Sequence, residues 1–171
     1  MERILFLAIV MALTLGVVGC DSGAPPPPPA PRPSITRTPT PVPSSDEEAI
    51  KQLINAEGEA VVQQDIDRLQ GMWASDGVVT DANRTPDNPS DDKTWKSWQA
   101  IRDRYVNIVF PSNPTLAEHP NIRITVTGDT AAAISDTKIG ITNVKDNDKW
   151  TFRKITGQWK LTSLTFGAAP K

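Results

Sequence analysis

Glu57 is the residue whose position most demands a chemical explanation. At about 100° per residue it falls near the centre of an apolar stripe made by Ile50, Leu53, Ile54 and Val61. A carboxylate in such a stripe is costly unless it is paired, protonated or turned towards a cavity. Two carboxylates confined together repel, which raises one pKa and suits the pair to general acid–base work. The plainer alternative is that Glu57 bends out to solvent or pairs with an arginine such as Arg102 while Asp81 caps the following loop, and a third is that one of these carboxylates only binds a ligand. Two other side chains stand out by being the sole members of their type, His119 and Cys20. His119 precedes Pro120 and is expected at the start of a strand, on the outside of the fold. A metal centre needs convergent ligands, and no second histidine exists to join it. The acidic stretches "DNPSDD" (Asp87, Asp91, Asp92) and "DND" (Asp146, Asp148) lack the glycine and terminal glutamate of a calcium-binding loop. They read as solvated loops. No metal and no cofactor are therefore expected.

The elements that position these residues fall into two unlike parts. The first 43 of 171 residues hold ten of the sixteen prolines. From Ser44 onward, 15 Lys and Arg stand against 18 Asp and Glu. That balance gives no clustered basic face, so nucleic acid is not an expected partner. A single cysteine forms no internal disulfide, yet about 128 residues suffice to bury one ordinary core.

At the N-terminus, Arg3 precedes an uncharged run, Ile4 to Val18. At 15 residues the run is shorter than the ~20 a spanning helix needs, and it fits a secretory signal. Gly19 and Cys20 follow. "VVGC" resembles the lipobox of bacterial lipoproteins, with Val17 where leucine is commoner. The resemblance implies cleavage after residue 19 and a diacylglycerol on the Cys20 sulfur, with palmitate as the usual acyl chain. The plainer alternative is a secretory signal or uncleaved anchor with an incidental cysteine. The expected location is the extracytoplasmic side of the cell membrane, held by lipid. Residues 20–43 read as a proline-rich, disordered linker, partly polyproline II. At ~3.1 Å per residue, twenty residues reach ~60 Å from the bilayer.

Residues 44–171 form the folded domain. "SSDEEAIKQL" carries a serine cap and early acids for a first helix. Asp65 caps a second, shorter one with Ile66, Leu69 and Trp73. "DGVVTDA" reads as a brief strand, and "TWKSWQAIRDRYVNIVF" as a third helix with a stripe of Trp98, Ile101, Tyr105, Ile108 and Val109. The period then drops to two. Strands flank the turns "TGDT" and "TG", with Trp150 and Phe152 on one face and Trp159 and Leu161 on another. The order implies α+β, a curved antiparallel sheet packed against three helices.

"GMWASDGVVTDA", "SWQAIRDRY", "TGDTAAAIS" and "FRKITGQWKLTSLTFG" resemble corresponding segments of the nuclear transport factor 2-like superfamily, which includes ketosteroid isomerases and SnoaL-like polyketide cyclases. The resemblance spans about residues 46 to 166. It implies a cone-shaped fold with a pocket at its open end. It also places Asp81 where ketosteroid isomerases carry their general base, and Glu57 on the helix that lines the pocket. This sequence departs from the isomerase pattern, since the first helix has no tyrosine and no second acid is evident on the terminal strands. Asp81 and Glu57 are thus the candidate catalytic pair. Trp73, Trp98, Tyr105 and Trp150 are the candidates to line a ligand pocket, with core packing as their alternative. Three functions are expected from this reading. The favoured one is a non-catalytic domain binding a small apolar ligand or a protein partner. The second is a cofactor-independent isomerase, cyclase or dehydratase. The third is a homodimer assembled through the sheet face.

Overall fold

The structure is a computed structural model that describes residues 41–169. The signal segment, Cys20 and all but the end of the linker lie outside the described residues. Among the described residues no helix is long and apolar enough to cross a membrane.

Helix α1 (Asp46–Gln63) begins where the serine cap predicts: the Ser45 hydroxyl accepts the Glu48 backbone N–H at 3.1 Å. It buries Ile50, Ile54 and Val61 against the sheet. Helix α2 (Ile66–Met72) is capped by Asp65, whose carboxylate accepts the Arg68 N–H. Strand β1 (Trp73–Asp81) follows directly, and β2 (Lys93–Lys96) pairs back onto it. Helix α3 therefore starts at Trp98 rather than Thr94. Ser97, at φ 80°, makes the break. Helix α3 (Trp98–Arg104) runs on into a π-helical turn, Tyr105–Val109, and then a short 3-10 turn ending at Ser112. The wider turn sets Tyr105 and Val109 inward and leaves Ile108, expected on the buried stripe, 48% exposed.

Strands β3 (Ala117–Glu118), β4 (Arg123–Thr127), β5 (Thr130–Ile139), β6 (Thr142–Ile155) and β7 (Gln158–Phe166) complete a seven-stranded curved sheet. Its order is β2-β1-β7-β6-β5-β3, with β4 also on β5. The pairs are antiparallel except β1 with β7, which is parallel, so the sheet is mixed. The three α-helices pack on its concave side around Ile54, Leu69, Val79, Ile101, Trp150 and Leu161.

Two irregularities shape the interior. A Cβ on Gly58 would stand 2.3 Å from the Ala117 carbonyl oxygen, so only glycine lets α1 and β3 approach this closely. In the β5–β6 ladder, Ser135 pairs with Asp148 but Thr137 pairs with Val144, leaving extra residues in β6. This bulge contains Asp146 at φ 49° and turns two consecutive side chains, Asn147 and Asp148, inward.

Candidate functional site

Four polar side chains meet in the interior. Glu57, on the inner face of α1, is 3% exposed. Its Oε1 accepts the Tyr105 hydroxyl at 2.6 Å, and its Oε2 lies 3.5 Å from His119 Nε2. His119 follows β3 and is brought to Glu57 by the Gly58–Ala117 approach. Its Nδ1 lies 2.8 Å from Asp148 Oδ2. The Trp73 indole N–H donates to the Tyr105 oxygen at 3.3 Å, and Trp150 meets the His119 ring edge-on at 4.9 Å between centroids. Asn147 donates to Thr137 Oγ1 at 2.8 Å and to Asp148 Oδ1 at 3.3 Å.

Both nitrogens of His119 thus face carboxylates, an arrangement that suits the doubly protonated ring. Burial alone would lower its pKa. The hydrogen bonds and charges of Asp148 and Glu57 outweigh that and raise it to about 9. At neutral pH the ring is an imidazolium between two acids. Burial, reinforced by Glu57, holds the Tyr105 hydroxyl well above its ordinary pKa, so it stays a neutral donor.

These groups line a cavity of about 150 Å3. Glu57, Tyr105, His119, Asn147 and Asp148 form its polar side; Val61, Val109, Ile139, Leu164 and Phe166 form apolar walls. Arg104 also lines it. Burial pulls the Arg104 guanidinium below its ordinary pKa, against the opposing effect of nearby Tyr105, Glu57 and Asp81. Its Nε and the Asn147 Oδ1 are buried without a hydrogen-bonding partner.

The structure separates the two acids paired in the sequence. Glu57 faces the cavity as its stripe position implies, and its partners are Tyr105 and His119, not Arg102. Asp81 is not among the lining residues. Its Oδ1 accepts the Asn83 N–H at 2.9 Å and caps the loop after β1. Of the four aromatic candidates, Tyr105 lines the cavity. Trp73 and Trp150 are buried core residues one shell behind it, and Trp98 packs against the core from α3. His119 and Asp148, expected on the outside and in a solvated turn, are corrections: they are 7% and 1% exposed. Pattern along the chain does not reveal them because the Gly58 approach and the β6 bulge put them inside. Glycine next to an inward glutamate is the one signal available for His119. Among the described residues no cluster of three or more ligating side chains has metal-binding geometry.

The arrangement has the parts for proton transfer. Glu57 is a carboxylate at a cavity wall, flanked by a hydroxyl donor and an imidazolium donor. A base beside two donors removes a proton while the donors steady charge that develops on a nearby oxygen.

Solved structures with the same fold include an NTF2-like protein with a cystatin-like fold from Novosphingobium aromaticivorans. It is 21% identical, with a TM-score of 0.56 over 70% of this chain and 79% of that one. A Streptomyces avermitilis protein of the NTF2-like family, provisionally assigned as a dehydratase, is 21% identical at TM-score 0.51, over 69% of this chain and 91% of that one. A Shewanella frigidimarina protein provisionally assigned as a ketosteroid isomerase is 15% identical at TM-score 0.52, over 69% and 94%. A search of the curated proteins finds no match. The SnoaL-like domain family matches residues 43–165, the helices, the strands and every cavity residue named above except Phe166, and the chain belongs to that family.

Proposed function

We propose that this chain is an envelope lipoprotein whose domain takes a small molecule into the Glu57 cavity and moves a proton on it without a cofactor. One observation carries the reading: a buried carboxylate faces a cavity between a tyrosine hydroxyl and a histidine that a second buried acid supports. Glu57 is the base. As Glu57 takes the proton, the Tyr105 hydroxyl and the His119 Nε2–H that donate to it turn to the oxygen that gains charge, and Asp148 holds His119 through Nδ1. Asp81 has no part in the step.

Solvent isotope exchange tests it. Small carbonyl compounds incubated in D2O with the protein should gain deuterium beside the carbonyl. Glu57→Gln should slow that gain by about 100-fold or more. Equal rates for the two proteins would refute the catalytic role. A second reading is favoured by one observation: both Glu57 oxygens already have partners inside the protein. On that reading the cavity binds a small ligand, or the domain a protein partner, without chemistry, and no compound exchanges.

The anchoring part of the proposal rests on Arg3, the apolar run, Gly19 and Cys20. It places the domain on the extracytoplasmic side of the membrane, held by lipid on Cys20. Radiolabelled palmitate should mark the wild-type chain in bacteria and not Cys20→Ala. Self-association, if the domain uses it, would engage the outer sheet face, where Ile134 lies exposed between Arg123 and Lys149 of the neighbouring strands. Light scattering that returns a monomer at high concentration would exclude it.

A further inference from the structure

Arg104 is a cation that the protein leaves without a direct counterion. It lines the cavity, and none of its nitrogens lies within ion-pair distance of a carboxylate among the described residues. Its Nε is buried with no acceptor. Glu57 and Asp81 favour its charge only at longer range. The side chain is held in place by rings: the guanidinium carbon lies 4.7 Å from the Phe166 centroid, 5.1 Å from Trp95 and 5.8 Å from Tyr105. Stacking of this kind fixes the plane of a guanidinium while leaving its edge donors free. A half-buried cation with no carboxylate beside it is costly on its own, and the cost is recovered when a planar acceptor meets the guanidinium. Beside the polar side of the cavity, Val61, Val109, Ile139, Leu164 and Phe166 give it an apolar wall, and about 150 Å3 is the size that holds one six-membered ring.

We infer that the cavity is selective for a small carboxylate with an apolar body, its carboxylate held by Arg104. This rests on the cavity being the ligand site of the proposed function and names the class of ligand it takes. The planar fork of Arg104 matches a carboxylate through two parallel N–H bonds. Val61, Val109, Leu164 and Phe166 cover the body of the ligand. Glu57 is already engaged by Tyr105 and His119, which reduces its repulsion of an incoming anion.

Calorimetric titration of the full chain in detergent with benzoate and with benzyl alcohol, its neutral counterpart of like size, tests the inference. Benzoate should bind at least about 10-fold more tightly than the alcohol. Arg104→Gln should weaken benzoate by about 10- to 100-fold, as loss of a charge-assisted pair does. The same change should leave benzyl alcohol within about twofold, because its contacts are with the apolar walls. Arg104→Lys, which keeps charge but not the fork, should fall between. If Arg104→Gln does not fold, the wild-type preference and the lysine variant still decide. Equal binding of the two probes, no binding of benzoate, or benzoate binding indifferent to Arg104→Lys would each overturn the inference. The readout is equilibrium affinity. Absence of isotope exchange therefore refutes the proton-transfer reading alone, and a missing preference for benzoate refutes the carboxylate site alone.

Discussion

Helix α1 carries two carboxylates on one face, eleven residues and about 16 Å apart. At its start Asp46 receives the Trp159 indole N–H at 2.8 Å and lies 2.8 Å from Lys154 Nζ. Three turns on, Glu57 receives a tyrosine hydroxyl and faces an imidazolium. Asp46 ties the helix to the β6–β7 hairpin in contact with water, and its hydrogen bonds to Lys154 and Trp159 keep its pKa below the ordinary value. Water screens such a pair, so little depends on it. Glu57 and its partners are shut away from water, where each polar group depends on the next. The same kind of charge on the same helix face thus serves as a fastening at one end and faces a cavity between two donors at the other. Burial and the partners that strand β3 and the β6 bulge deliver make the difference.

The largest effect should come from breaking the interior set. Asp148→Ala leaves the His119 imidazolium short of its nearest acceptor and should lower unfolding stability by about 3–5 kcal/mol in urea titrations. A loss no greater than that of a surface variant would mean His119 is not charged there. Next comes pH. His119 is raised from 6.5 to about 9 in the folded state. Its contribution, ~3 kcal/mol, is fully present below pH 6.5 and is lost as pH rises through 9. Wild type should therefore lose stability between pH 6.5 and 9 relative to His119→Gln, and NMR titration of the ring should find the same midpoint. Gly58→Ala should cost ~1–3 kcal/mol by forcing α1 away from β3. It should also bring the His119 pKa back towards 6.5, which sharpens the contrast by separating the two elements. The smallest effect belongs to the exposed end. Asp46→Asn should shift the urea midpoint less than any interior variant, and the shift should shrink further in high salt.

How much of this is legible in the sequence depends on the range of the interaction that fixes each residue. The caps of α1 and α2, the apolar stripe and the inward position of Glu57 follow from helical spacing alone. The β4–β5 and β6–β7 hairpins follow from alternation around a tight turn. Thr94 to Lys96 carry a helical signature because "TWKSWQ" spaces its aromatics as a helix does, and only pairing with β1 makes them a strand. The parallel β1–β7 pair joins segments more than eighty residues apart and leaves no local mark. His119 sits in a proline-flanked stretch with no periodicity, and its burial depends on a glycine on another element. Asp148 lies where the period of two fails, because the bulge adds residues that a pattern read along one strand does not reveal. Asp81 stands out by family resemblance rather than by its own surroundings, and its short side chain turns back to the Asn83 N–H.

The π-helical turn after α3 has a consequence for how this chamber could diversify. Such a turn holds one residue more than an ordinary helical turn. Deleting a single codon between Val106 and Ile108 would tighten the coil to an ordinary turn while the segment beyond it kept its face towards the sheet. The change would fall on the turn itself, between Tyr105 and Val109, which both line the chamber. A change of length by one amino acid, absorbed within a single turn, is thus a route by which a relative of this protein could refit the chamber for a molecule of different shape.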